Sequence, residues 1–396
     1  MVEGKSLKLL IQMGDSYPDE SPCSKRMRTF YDVFTENGDE VVVLAPYNND
    51  AIIDYPGAVY CRTIPLRKKN SLYRFLNSYL FGITSFLKAM TIKNVDVVLT
   101  TAPPPLINKW GKRIAKFHKA KLVYDVRDIW PDVAWEMGAL DRKSIYSRIF
   151  EGIRDKMLEC SDLIIAVSPG KVEKLKKYAP DKTILEITNG LDEEFLKNDE
   201  DRELVDKYKL DDVFTVCYMG NLGLAQGLKQ LLRLAFKAQE NDMNVQFLLF
   251  GSGAEEKILK DYVKEKGLNN VTFPGRIPNK HMFTVLKHSK ISFVSLVNEN
   301  LKDSVPTKMY EAIGVGCPVL LAASGDSAEI LKKSGLGIAV EPNDDRAIWE
   351  AFSYMHDNIN LYEAKKQYAM EYILSNYSRQ KAAGVLETEL HRMIYE

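Results

Sequence analysis

Short runs of Val, Ile and Leu, each leading into a helical stretch, recur along the chain and then start again. Leu7–Met13, Glu40–Leu44, Val95–Leu99, Leu122–Tyr124, Leu163–Val167 and Thr183–Ile187 read as strands. Between them, Lys25 to Asn37, Trp110–His118, Ser147–Glu159 and Lys171–Tyr178 read as helices. Short strands that are apolar throughout, alternating with helices, predict a parallel sheet covered on both faces. A linker is expected after Asn189-Gly190-Leu-Asp192, because residues 197–212 are highly charged and carry no strand-like run. The pattern then returns. Strands are expected at Phe214–Met219, Val245–Phe250, Val271–Phe273, Ile291 to Leu296, Val319 to Ala323 and Gly337–Val340. The fold class is therefore α/β, expected as two Rossmann-like domains facing a central cleft. The first would span 1–197 and the second 198–375, with a last helix over 376–396 packing back on the first. A chain of 396 residues is long enough for two separate cores.

Charge narrows the range of partners. The 54 basic and 54 acidic side chains cancel, so nothing marks the chain as a nucleic-acid binder. The balance is uneven locally: thirteen Lys and Arg lie between Tyr55 and Tyr124 against one acid, Asp96. Within that region, residues 67–88 are basic and aromatic, and Leu72, Phe75, Leu76, Tyr79, Ile83, Phe86 and Leu87 suit one helical face. Packing on the sheet accounts for the second half. For the first half, Arg67 to Leu76, peripheral contact with an anionic membrane surface is the competing reading. Five scattered cysteines and five histidines form no metal-ligand spacing, so no metal is expected, and a reduced, cytoplasmic setting follows. No signal peptide is visible, and no apolar run approaches about 18 residues.

Ligands of parallel α/β sheets bind beyond the carboxyl ends of the strands, and several such ends carry unusual loops. Between the strands at Ile291 and Val319 lies Asp303-Ser-Val-Pro-Thr-Lys-Met-Tyr-Glu311, where an acid, a hydroxyl, a lysine and a second acid gather as a helix begins. A helix N-terminus in that place suits phosphate. A capped helix with a Lys308–Glu311 surface pair is the plainer alternative. Gly220-Asn-Leu-Gly223 follows the first strand of the second half and would let backbone N–H groups approach an anion, or would simply turn the chain. Gly251-Ser-Gly253 starts a dinucleotide fingerprint without its third glycine, so a complete NAD or FAD motif is missing. No P-loop is present. In the first half, Arg127, Asp128 and Trp130 crowd the loop after the strand ending at Tyr124. That loop is either a substrate wall or a structural Arg–Asp lock.

Taken in order, these pieces resemble the bacterial family 4 glycosyltransferases, retaining enzymes of the GT-B fold. The elements are Arg26 through Gly38-Asp-Glu-Val41, Val126-Arg-Asp-Ile-Trp-Pro131, Ser161-Asp-Leu-Ile-Ile-Ala-Val-Ser168, Thr188-Asn-Gly-Leu-Asp192, Tyr218-Met-Gly-Asn-Leu-Gly223, Val271-Thr-Phe-Pro-Gly275 and the stretch from Asp303 to Gly316-Cys-Pro-Val319. They are most similar to the branch serving polysaccharide and O-antigen assembly.

The resemblance implies a transfer from a nucleoside diphosphate sugar, most simply UDP-linked, to a glycan or lipid-diphosphate-linked acceptor. No cofactor is implied, and the site would lie on the cytoplasmic side, at the inner face of the membrane. The family's Glu-x7-Glu reads Asp303-x7-Glu311 here. Glu311 would hold the ribose, with Asp303 near the donor sugar. Ser304, Val305 and Thr307 would contact the sugar and diphosphate, alongside Gly220, Gly223 and Gly251. Relatives place an Arg and a Lys where this chain has Asn221 and Gln226. That leaves Lys308 as the main cation, helped by Arg276. Relatives also carry a His-Asp where Arg127-Asp128 stands, so no general base is evident. Asp303, Lys308, Asp128 and Arg127 would serve catalysis, and Ser24, Arg26 and Trp130 the acceptor. A UDP-sugar epimerase of the same fold and a non-catalytic nucleotide-binding scaffold stay open as alternatives.

Overall fold

The computed structural model describes residues 6–18, 21–47, 55–64 and 71–396. Two units emerge, one formed by Met1–Asn189 with Arg379–Glu396, the other by Gly190–Ser378. The division falls at Asn189, eight residues before the expected 197, and again at Ser378, three after the expected 375.

The first unit is built on a seven-stranded parallel sheet. Its strands are β1 (Lys8–Gln12), β2 (Glu40–Pro46), β3 (Ala58–Cys61), β4 (Val97–Ala102), β5 (Lys121–Val126), β6 (Leu163–Ala166) and β7 (Ile184–Glu186), in the order β3-β2-β1-β4-β5-β6-β7. Every residue of β4 is buried, as a central strand covered on both faces requires. The helix Pro22–Glu36 follows β1; Ser21 caps it, accepting from the Ser24 N–H, and Pro22 fills the first turn. Its apolar stripe, Met27, Phe30 and Phe34, packs with Ala383, Leu386 and Leu390 of the last helix, Arg379–Tyr395. Asp39, in the turn after the first helix, ties the last helix to the start of β1. It accepts from the Leu7 N–H at 2.9 Å and meets His391 Nε2 at 2.8 Å.

The second unit repeats the plan with six parallel strands. These are β8 (Phe214–Met219), β9 (Val245–Phe250), β10 (Val271–Gly275), β11 (Ile291–Ser295), β12 (Val319–Ala322) and β13 (Gly337–Val340), ordered β10-β9-β8-β11-β12-β13. In each sheet the strand order reverses direction once, between β1 and β4 and between β8 and β11. Loops leaving neighbouring strands at such a point turn to opposite faces and leave a crevice. The strand pattern of the sequence carries through with two differences. The charged stretch expected as a linker holds a helix, Arg202–Tyr208, because Asp201 caps it by accepting from the N–H groups of Glu203 and Leu204. The strand Ala58–Cys61 at the sheet edge was not anticipated; four residues with one buried carry little periodic signal.

The start of the basic aromatic segment, residues 67–70, lies outside the described residues, and Arg67 with it. The rest forms the helix Ser71–Ala89. Its sheet-facing side is Phe81, Gly82, Ser85 and Ala89, small except for one ring, so the helix approaches closely. Phe75, Leu76, Tyr79 and Leu87 are left exposed. Among the described residues, no helix is long and apolar enough to cross a membrane.

Candidate functional site

The reversal point of the second sheet brings the glycine loop and the Asp303–Glu311 stretch together. The loop after β8 is tied to the end of β9: the Gly220 N–H donates to Phe250 O and the Leu222 N–H to Ser252 O, both at 3.0 Å. It is tied equally to the end of β11. Ser295 Oγ donates to Gln226 O at 2.6 Å, and the Val297 N–H to Ala225 O at 2.9 Å. Glycine is required where these loops meet. Gly251 has φ +137°, and a Cβ there would stand 1.8 Å from Gly220 O. At Gly220, φ +139°, an added Cβ would stand 3.0 Å from the amine of Lys308. The lysine therefore reaches across the reversal point and lies against the glycine loop.

Lys308 sits in the first turn of the helix Thr307–Gly314, with Pro306 just ahead of it as the capping residue. Its Nζ donates to Tyr218 Oη at 2.6 Å and lies 3.9 Å from the centre of that ring. It makes no ion pair among the described residues. Burial pulls its pKa down to about 7, opposed by Glu311 one turn along. Glu311 is only 6% exposed, and among the described residues its carboxylate takes no hydrogen bond and no ion pair. A half-buried lysine whose one hydrogen-bond partner is a neutral phenol, beside a buried glutamate with none, is a costly arrangement for a folding core. They suit a ligand that brings an anion to the first and hydroxyls to the second.

The other donor-side candidates are distributed unevenly. Asp303, Ser304, Val305 and Thr307 are half-buried on the segment between β11 and the helix. Asn221 is exposed on the glycine loop, and Gly223 is buried beside its amide. Gln226 ends a single helical turn, Leu224–Gln226, with its Oε1 buried and unsatisfied. Arg276 is exposed just past β10, two strands away from β8, and its Nε donates to Ser252 Oγ at 2.6 Å.

In the first unit, the loop after β5 turns back over β4. Arg127 Nε donates to Thr101 Oγ1 at 3.0 Å, and a second guanidinium N–H reaches Pro103 O. Burial opposes the Arg127 charge, but Cys23, Asp15, Asp125 and Asp128 outweigh it and hold its pKa up. Asp128 lies 3.9 Å from Lys171 Nζ, an amine only 3% exposed. Trp130 is half-buried, edge to face with Phe150. The two remaining acceptor candidates lie in the interior. Ser24 is fully buried, and Arg26 is 1% exposed. Arg26 bonds Asp125 Oδ1 at 3.0 Å and Thr188 O at 3.1 Å, and its guanidinium covers the Phe30 ring. It holds the start of the first helix to β5 and to the chain after β7. Of the three, Trp130 is the one with surface to offer a ligand.

Sequence reasoning missed Tyr218 and Lys171. Tyr218 passed as one more apolar strand residue, although its hydroxyl is the partner of Lys308. Lys171 had a usable signal in Ser168-Pro169, which caps a helix and places the lysine in its first turn at a strand end. Among the described residues, one group could hold a metal ion: Asp39, Glu387 and His391, with ligand atoms within 4.8 Å of one another. It sits where the chain enters β2, at the amino edge of the sheet, opposite the loops discussed above.

Comparison with known proteins places this geometry in context. Residues 199–372, which contain the whole reversal-point site, match the family described as glycosyl transferases group 1. The O-antigen chain mannosyltransferase C of Escherichia coli is 23% identical over 216 residues, 53% of this chain and 55% of that protein. The 2-deoxystreptamine N-acetyl-D-glucosaminyltransferase of Niallia circulans is 20% identical over 41% of each chain. The chain thus spans about half the length of the curated relatives it matches. Likeness in fold extends much further. Sucrose-phosphate synthase from Thermosynechococcus elongatus superposes with a TM-score of 0.81, at 17% identity over 98% of this chain and 99% of that one. Anabaena HepE in complex with UDP-glucose gives 0.74, at 14% identity over 98% and 100%. The fold is therefore GT-B, a pair of Rossmann-like domains.

Proposed function

We propose that this chain is one of the group 1 glycosyl transferases, whose family model matches residues 199–372, and that it moves a sugar from a nucleoside diphosphate sugar to a glycan or lipid-linked acceptor. The observation that carries this reading is Lys308 Nζ lying against Gly220 at the reversal point of the second sheet, with Glu311 sheltered one turn further on. In this arrangement the diphosphate lies over the glycine loop and the start of the helix Thr307–Gly314. Backbone N–H groups and Lys308 meet its charge, and Glu311 accepts from the ribose hydroxyls. UDP is the nucleotide we favour, on the likeness in fold to a protein solved with UDP-glucose.

We read the transfer as retaining. Bond breaking leaves negative charge on the diphosphate, and groups placed beforehand against that charge lower the barrier. Lys308 meets it directly. The departing diphosphate takes the acceptor's proton on the same face of the sugar, so Arg127 and Asp128 are not needed as a base. They serve instead to shape the acceptor side with Trp130 on the first unit, while Asp303 stays beside the donor sugar. Neutral Asn221 and Gln226 leave Lys308 carrying charge that relatives spread over more residues. Exposed Phe75, Leu76 and Tyr79, in a segment rich in lysine and arginine, support a lipid-linked acceptor presented at an anionic membrane surface. With one relative named as an O-antigen chain mannosyltransferase, this favours cell-surface polysaccharide synthesis.

The test is release of UDP over a panel of sugar nucleotides with lipid-linked and soluble glycan acceptors, with the product's anomeric configuration read by NMR. Acceptor-dependent release with retained configuration is the expected result. Release with water as the only acceptor would favour an epimerase, and tight UDP binding without any release would favour a scaffold.

A further inference from the structure

Tyr218 has no assigned task in the site, yet its hydroxyl is the contact that fixes where Lys308 stands. It is the fifth residue of β8, with its side chain fully buried. A phenylalanine would fill the same volume without burying a polar atom. The hydroxyl is used at both ends. It donates to Asn221 O in the glycine loop at 2.7 Å and accepts from Lys308 Nζ at 2.6 Å. Burial holds the phenol neutral far above the usual tyrosine range, so its one proton goes to Asn221 O and a lone pair faces the amine. The ring face lies beneath the amine as well, 3.9 Å from centroid to Nζ.

On the donor-site reading above, we propose that Tyr218 is a positioning residue: its hydroxyl binds Lys308 and the glycine loop into one rigid diphosphate cradle. A lysine side chain has four rotatable bonds and would otherwise be ordered only when ligand arrives. Held by Tyr218, the amine keeps two N–H groups for phosphoryl oxygens. Ordering is complete before binding, which favours the step in which charge develops over simple affinity. Glu311 from the same helix and Tyr218 from β8 are the titratable groups that face the amine.

Tyr218→Phe removes the hydroxyl and keeps the ring, and 3-fluorotyrosine at 218 weakens the acceptor without changing the packing. Two readouts are needed. Lysine labelled at Cε, with Lys308 assigned through Lys308→Arg, reports the amine's titration by NMR without any nucleotide. Loss of the hydroxyl, which supports the ammonium, should move that midpoint down by about one pH unit. Turnover of the UDP-sugar should fall about tenfold, with a smaller rise in KM. An unmoved midpoint with unchanged kcat overturns the proposal, as does an equal loss in kcat/KM at every pH, the mark of a merely structural role. A shifted midpoint in a protein that binds no nucleotide sugar would overturn the donor reading and this role with it, leaving only a Tyr218–Lys308 contact. Fluorotyrosine should move the midpoint in the same direction by less.

Discussion

Binding of the donor should consume a proton above neutral pH, because Lys308 is held near pKa 7 in the free protein by burial. A bound diphosphate would restore the amine to at least its ordinary value of about 10.4. The sign follows directly. At pH 6 the amine is charged in both states, and affinity is at its maximum. As pH rises through 7 the free protein loses the proton, the complex keeps it, and affinity falls about tenfold for each further unit. Between pH 6 and pH 9 the expected loss is roughly ninetyfold, or about 2.7 kcal/mol. A UDP-sugar is the proper probe, since its diphosphate has no titrating terminal phosphate in this range. Calorimetry at pH 8 in buffers of different ionisation enthalpy should show uptake of about 0.9 proton per donor bound, and at pH 6 about 0.1. Lys308→Arg, always charged, should abolish both the uptake and the slope. A flat affinity from pH 6 to 9 in the unmodified protein would refute the reasoning, since either the amine is ordinary or it does not meet the diphosphate.

Glu311→Ala should weaken UDP by about 1.5–3 kcal/mol, the cost of one hydrogen bond to a charged group, measured by calorimetry; unchanged affinity would end its ribose role. Gly251→Ala forces a side chain into Gly220 O at a positive φ, so the loop must shift and UDP should no longer raise the melting temperature. Replacing Phe75 and Tyr79 by Ser should cut co-sedimentation with anionic vesicles while leaving turnover of a soluble acceptor unchanged; binding to vesicles as before would remove the membrane reading of this helix. Asp132→Ala leaves Arg154 and the Tyr178 hydroxyl without their buried carboxylate. It should destabilise the first unit by about 3–5 kcal/mol in urea, followed by Trp110, Trp130 and Trp135, with UDP binding intact.

The sequence disclosed the plan of the fold because each buried strand had to be written in Val, Ile and Leu, and each reversal-point loop in glycine or in charge. It disclosed the residue types at the proposed donor site for the same reason: Asp303, Lys308 and Glu311 stand where a helix begins after a buried strand. It could not disclose that Lys308 folds back on Tyr218. That contact joins residues ninety positions apart, and a tyrosine within a strand reads as packing whether or not its hydroxyl is used. Arg26 shows the opposite failure. An arginine soon after a strand end resembles a ligand contact, but its true partners, Asp125 in β5 and Thr188 just after β7, lie far along the chain, and the pairing exists only once the sheet has formed. The helix Arg202–Tyr208 was hidden by charge, since one cap and two turns produce no periodic apolar pattern.

The last helix, Arg379–Tyr395, belongs to the first unit but is translated after the second. Gly190–Ser378 is contiguous and can fold as soon as it leaves the ribosome. The first unit cannot finish until roughly 190 more residues have been added, an interval of about ten to forty seconds at ordinary synthesis rates. Throughout that time Met27, Phe30 and Phe34 lack Ala383, Leu386 and Leu390, the residues that cover them in the finished core. The nascent chain thus carries a sticky apolar stripe for many times the folding time of a small domain, and chaperone demand should fall on this unit rather than on the second.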